Sequence, residues 1–97
     1  MLPINYLAKA RQDFDESARW YAARSEIAAM RFVDAVDAAI SQIASKSQSF
    51  PVVGRDHREC RVKGFPFRII FRQLENQIVI VAVAHAKRRP NFWQGRS

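Results

Sequence analysis

A single cysteine, Cys60, rules out an intramolecular disulfide and cannot by itself build a structural zinc site. Soft metal ligands are equally scarce. His57, Cys60 and His85 stand without a carboxylate pair at ligand spacing, so neither a metal nor another cofactor is expected. Three glycines and four prolines leave no Gly-rich phosphate loop and no nucleophile elbow. The longest apolar stretch, Ile78 to Ala84, is far short of the ~20 residues that span a bilayer, so no membrane association is expected. Met1-Leu2-Pro3-Ile4-Asn5-Tyr6 has no basic region followed by an apolar run, which makes the cytoplasm the expected compartment. Repeats, low-complexity segments and linkers are also missing, and one domain over residues 1–97 is expected.

Acidic residues are the most informative shortage. Residues 1–49 carry six Lys/Arg against six Asp/Glu, whereas residues 50–97 carry ten against three. The whole excess of +7 therefore lies in the second half. Such asymmetry bears on association rather than on fold, and it points to an acidic protein partner or a polyanion. A merely soluble basic surface is the plainer alternative. Hydrophobic residues at 48% and charged residues at 26% are ordinary for a folded domain.

Periodicity supplies the architecture. Leu2 to Leu7, with Pro3 near its start, suits a brief edge strand. From about Ala8 to Arg24, Ala10, Phe14, Ala18 and Tyr21 recur at helical spacing. Ser25 then offers an N-cap oxygen, with Glu26 in the first turn. A second helix is expected from Glu26 to Lys46, its stripe Ala28, Phe32, Val36, Ile40 and Ile43. Ser45 to Gly54 has the composition of a surface loop. Cys60 and Val62 then alternate with Arg61 and Lys63, and Phe67, Ile69 and Phe71 with Arg68, Ile70 and Arg72. Glu75-Asn76 makes a turn. Gln77 to His85 is apolar on both faces, as befits a central strand, and Asn91 to Ser97 forms a tail. The expected fold is α+β in the order β-α-α-β-β-β. A short first strand and an antiparallel helical hairpin precede a three-stranded antiparallel meander.

Strand parity puts Arg61 and Lys63 on one side of their strand, and Arg68 and Arg72 on one side of the next. If register brings the pairs together, four cations line one sheet face, with Lys87, Arg88 and Arg89 where the last strand ends. Such a surface can grip phosphates or stabilise a phosphoryl transition state. Solvent-facing strand residues are the alternative. His85 is a candidate general base, or else a residue that fixes a loop. Cys60 is on the apolar phase of its strand and suits a small core residue. Trp20 lies off the main helical stripe, either under a loop or in a docking patch. Trp93, in a basic tail, either stacks on a base or folds back on the sheet.

The stretch Phe65-Pro66-Phe67-Arg68-Ile69-Ile70-Phe71, a turn, Ile78 to Ala84, and then His85-Ala86-Lys87-Arg88-Arg89-Pro90-Asn91-Phe92-Trp93 resembles the ParE/RelE toxin superfamily, most closely its ParE branch. The resemblance covers nearly the whole chain. It implies the toxin half of a bacterial type II toxin–antitoxin system, neutralised by an antitoxin with an acidic, helical C-terminal segment. Roles in growth arrest and plasmid stabilisation follow from the same likeness. The ParE branch implies DNA gyrase as target and no catalytic residues. Target contacts would then be Arg61, Lys63, Arg68, Arg72, Lys87, Arg88, Arg89 and Trp93, and antitoxin contacts Phe14, Trp20, Tyr21 and Phe32. The RelE branch implies a ribosome-dependent messenger-RNA endoribonuclease using Arg61, Lys63, Arg68 and Lys87. Its tyrosine position falls on Trp93, whose indole cannot transfer a proton near neutral pH, leaving His85 as the substitute.

Overall fold

Residues 1–96 are described by a computed structural model; Ser97, the end of the expected tail, lies outside them. The helices start and stop where side-chain chemistry dictates. Ser25 holds extended backbone, and its Oγ accepts the Ala28 N–H at 3.2 Å, which opens α2 (Glu26–Lys46). The preceding α1 (Ala8–Ala22) ends just short of the expected Arg24. Phe32, Val36, Ala39 and Ile43 form the buried stripe of α2 and press it onto the sheet.

Five strands make one sheet: β1 (Ile4–Tyr6), β2 (Val52–Val53), β3 (His57–Val62), β4 (Phe67–Gln73) and β5 (Ile78–His85). Their spatial order is β1-β5-β4-β3-β2, with β1 parallel to β5 and every other pair antiparallel. The α+β class and the order of the main elements agree with the sequence reading. One correction concerns Ser45 to Gly54. A short 3-10 turn at Ser47–Ser49 is followed there by β2, which pairs with His57 and Arg58. Two residues are too few to produce an alternation pattern, so this strand exists only because β3 offers it an edge.

Both faces of the sheet are covered. On the inner face, Cys60, Val62, Phe67, Ile69, Phe71, Ile78, Ile80 and Val83 meet the two helices. Phe32 is fully buried at its centre, with ring centroids at 4.9 Å from Phe67, 5.1 Å from Tyr21 and 5.4 Å from Phe65. Each such pair adds roughly 0.5–1.5 kcal/mol beyond area burial. The outer face carries a smaller cluster of Ile70, Val81, Ala82 and Trp93. A register shift makes this second core possible. Ile70 pairs with Ala82 but Phe71 with Ile80, so Val81 is an extra residue and both Val81 and Ala82 turn outward. Alternation resumes with Val83 facing the helices.

The C-terminal segment closes over that outer face. Trp93, only 4% exposed, packs with its ring centroid 4.5 Å from His57. Gly54, at φ +68°, lies beneath the indole; a Cβ there would stand 2.9 Å from the ring. Arg96 fastens the end of the segment. Its Nη1 donates to Asp13 Oδ2 at 2.7 Å and to the Val81 carbonyl at 3.0 Å. Asp13 Oδ2 also accepts the Val83 N–H at 3.1 Å, satisfying the β5 edge beyond the reach of β1.

Candidate functional site

The register settles the arrangement that parity left open. Arg61 pairs directly with Arg68 across β3 and β4. Because Cys60, Val62, Phe67 and Ile69 face the helices, strand parity turns Arg61, Arg68 and Arg72 to the outer side, while Lys63 follows β3 in the turn and, with Arg61, lines a cleft beside α2. Two of these cations are paired with carboxylates of the same chain. Arg68 Nη1 binds Glu59 at 3.1 Å, and Arg72 Nη2 binds Asp56 at 3.3 Å. The Trp93 cluster fills the apolar part of this face behind them.

Part of the charge without an ion pair lies at one end of the sheet. Arg61 and Lys63 are exposed and, among the described residues, make no ion pair. The Ala86 N–H donates to the Pro66 carbonyl at 2.7 Å, which brings the segment after β5 beside the β3–β4 turn. Exposed Lys87, Arg88 and Arg89 therefore start at the same end of the sheet, with Arg88 lying 4.4 Å over the Phe92 ring. A cleft of about 520 Å³ opens at this corner, lined by Glu59, Arg61, Lys63, Phe65, Arg68 and Ala86 among others. Its chemistry suits a phosphate or a carboxylate, held by guanidinium and ammonium groups.

His85 lies elsewhere. Its ring packs 5.3 Å from Phe67 on the helix side, and its Nδ1 accepts the Lys87 N–H at 3.0 Å, fixing the turn that follows β5. Trp93 is buried, so it offers no free ring to a base; that assignment as a target contact is corrected by the fold. Sequence reasoning also passed over Glu59, although it shares strand parity with Arg61. Asp13 and Arg96 gave no sequence signal, because their meeting depends on the path of the tail.

A second feature is apolar. Trp20, Tyr21, Phe67, Val83, Ala84 and His85 line a groove of about 580 Å³ between α1 and the end of β5, rimmed by Glu16 and Arg88. Trp20 is 53% exposed there, its ring edge-on to Tyr21 at 5.1 Å and covered on one side by Arg24 at 3.6 Å. Phe32, expected among these docking residues, is sealed in the core and cannot touch a partner. Phe14 is half-buried and stacks on Phe32 at 5.9 Å, so it too serves mainly the interior. Burial raises the Tyr21 hydroxyl pKa, and it likewise raises that of the Cys60 thiol, which belongs to the core. Among the described residues, no group of three or more His, Cys, Asp or Glu side chains could hold a metal ion.

Known structures share this architecture. The chain aligns with the chromosomal ParDE toxin–antitoxin system of P. aeruginosa at a TM-score of 0.64 and 21% identity, covering 88% of this chain and 96% of that one. A copper-bound mutant toxin from Helicobacter pylori aligns at 0.61 and 15% identity, over 88% and 94% of the two chains. The YoeB dimer of Staphylococcus aureus aligns at 0.58 and 13%, over 87% and 95%. At these identities the likeness concerns the fold. No curated protein gives a match to the chain. The family model described as the ParE toxin of the type II toxin–antitoxin system parDE matches residues 4–90, nearly the full length. This protein belongs to the ParE toxin family of type II toxin–antitoxin systems.

Proposed function

We propose that the chain is a non-enzymatic poison of DNA gyrase, held inactive by a cognate antitoxin. One observation carries this choice: the cationic corner has no acid–base pair. Cleaving an RNA strand through its 2′-hydroxyl needs a group to take that proton and another to protonate the leaving oxygen. The corner cleft holds one carboxylate, Glu59, already bound by Arg68, while His85 faces the helices and Trp93 is buried. Binding needs no such pair. Arg61, Lys63, Lys87, Arg88 and Arg89 can contact gyrase or its DNA as fixed charges, with Arg68 and Arg72 stiffened by their carboxylates. An amphipathic helix of the antitoxin would bury Trp20 and Tyr21 in the apolar groove, folding as it binds.

The test is purified chain with gyrase, ATP and supercoiled plasmid. Trapped linear DNA is the expected product, reduced at least tenfold by the double change Lys87→Glu and Arg89→Glu. Unchanged supercoiling with no trapped cleavage overturns the proposal. On this reading, expression alone arrests growth and expression with the antitoxin does not.

A second reading as a ribosome-dependent endoribonuclease draws on Glu59 sharing its cleft with Arg61, Lys63 and Arg68. Primer extension on translated transcripts then reports cuts that vanish in Glu59→Gln and Arg68→Ala. Intact transcripts dismiss it.

A further inference from the structure

The edge of β5 that faces α1 is covered for only part of its length. β1 pairs with it from Ile78 to Ile80, and the Leu7 N–H takes the Ile80 carbonyl. Past that point the ladder to β4 fixes which backbone groups turn outward. The Ala86 N–H donates to the Pro66 carbonyl just before β4, so alternation aims the N–H and C=O of Val83 and His85 the other way, toward α1. Two of these four groups are engaged within the chain. Asp13 Oδ2 accepts the Val83 N–H, and the His85 carbonyl accepts the Arg88 N–H at 2.9 Å. The Val83 carbonyl and the His85 N–H remain, and among the described residues no strand runs beside them. Val83 is 2% exposed, and backbone groups so enclosed call for a partner.

Val83 and His85 line the apolar groove of about 580 Å³, whose other walls include the flat rings of Trp20, Tyr21, Pro66 and Phe67. One carbonyl and one N–H, with engaged groups on either side, are too few for an added strand, which needs a continuing row. They suit a planar heterocycle that carries a donor beside an acceptor. Along their base-pairing edges, guanine, cytosine and uracil each offer three polar groups, so one would be left without a partner against an apolar wall. Adenine offers only the N6 amine and N1, followed by a C–H.

We infer that this groove binds the adenine of a nucleotide, its N6–H donating to the Val83 carbonyl and its N1 accepting the His85 N–H. The base stacks among the aromatic rings. Ser17 and Glu16, on the same groove, bind the ribose hydroxyls, and Arg88 binds the phosphate. Adenine recognition here is independent of the toxin's target, and it would set a nucleotide in competition with the antitoxin helix at Trp20.

The probe is adenosine monophosphate (AMP), titrated into the full chain and followed by nuclear magnetic resonance. AMP should bind with a Kd below about 1 mM and shift the His85 amide and the Trp20 indole N–H. A methyl group on N1, or hypoxanthine in place of adenine, should weaken binding at least tenfold, because a buried donor or acceptor then loses its partner. Trp20→Ala, at a half-exposed position outside the buried core, should weaken AMP and adenosine alike, whereas Arg88→Ala should weaken AMP alone. Absence of binding below about 1 mM overturns the inference, as does binding that leaves the His85 amide unshifted. So does equal affinity for AMP and inosine monophosphate. Equal affinity for AMP and ribose 5-phosphate overturns it too, since the phosphate alone would then be held by the basic segment after β5. A short oligo(A) identifies the source of the base. Affinity like that of AMP assigns the site to free nucleotide, and binding at least tenfold tighter than AMP and than oligo(U), with the same His85 shift, assigns it to a single strand; both uphold adenine recognition.

Discussion

The two faces of the sheet are stabilised by different means. The inner face is a conventional core, in which two helices deliver apolar stripes and four aromatic rings converge on Phe32. The outer face has no helix. It is closed by one indole and tied down by one ion pair between chain segments 83 residues apart. The contrast separates the shape of this protein from its surface. The inner face would hold with any tail, whereas the outer face, and with it the position of the basic segment after β5, depends on a few polar contacts.

Breaking the inner face should have the largest effect. Phe32→Ala removes a fully buried ring from the centre of the cluster and is expected to cost about 3–5 kcal/mol in chemical denaturation. A chain of this length has little reserve, so partial unfolding at 37 °C is the expected companion. Trp93→Ala should cost less, about 3 kcal/mol, because the outer cluster is small. It should also speed amide exchange in the segment after β5 while leaving α1 and α2 protected. A loss equal to that of Phe32→Ala would mean that the two faces do not differ.

Asp13→Ala sharpens the comparison further. It strips the carboxylate from Arg96 and from the Val83 N–H, in a pair whose side chains are only 13% and 11% exposed. Complete burial would cost about 3–5 kcal/mol, and residual access to water lowers the expected loss to about 2 kcal/mol. Asp13→Ala combined with Trp93→Ala should fall short of additivity, since both changes release the same segment.

The smallest expected effect is one of pH. Burial against Trp93 lowers the pKa of His57, opposed by nearby Asp56 and reinforced by the Arg72 charge. Folded His57 thus binds its proton less readily than the unfolded chain, whose histidine titrates near 6.5. The unfolded state takes up more protons in that window, so stability should decline as pH falls below about 6.5 and stay level above it. His57→Gln should flatten this slope in urea midpoints measured from about pH 7.5 to 5.5. A slope that survives the substitution would assign the effect to other groups.

Much of the fold was legible because it rests on local rules. Ser25 and the apolar stripe fix α2 from Glu26 to Lys46, and period-two alternation marks β3 and β4. The near-continuous apolar run of β5 announces a strand covered on both faces, although not what covers the outer one. Of the candidate site, the types and parity of Arg61, Lys63, Arg68 and Arg72 could be read in advance. The pairing of Arg68 with Glu59 and of Arg72 with Asp56 could not, because cross-strand ion pairs depend on register and on how a loop returns.

The amino-acid sequence by itself determined the secondary elements, the inner core and the sign of the charge, since each follows from side-chain type and spacing along the chain. Tertiary structure alone decided the outer face: the extra residue at Val81, the burial of Trp93 over Gly54, and the meeting of Asp13 with Arg96. These depend on contacts between distant segments, for which no local periodicity exists. The same distinction governs the cations. Composition supplied ten positive side chains in the second half, and packing determined which of them have carboxylate partners and which remain available to an anionic partner.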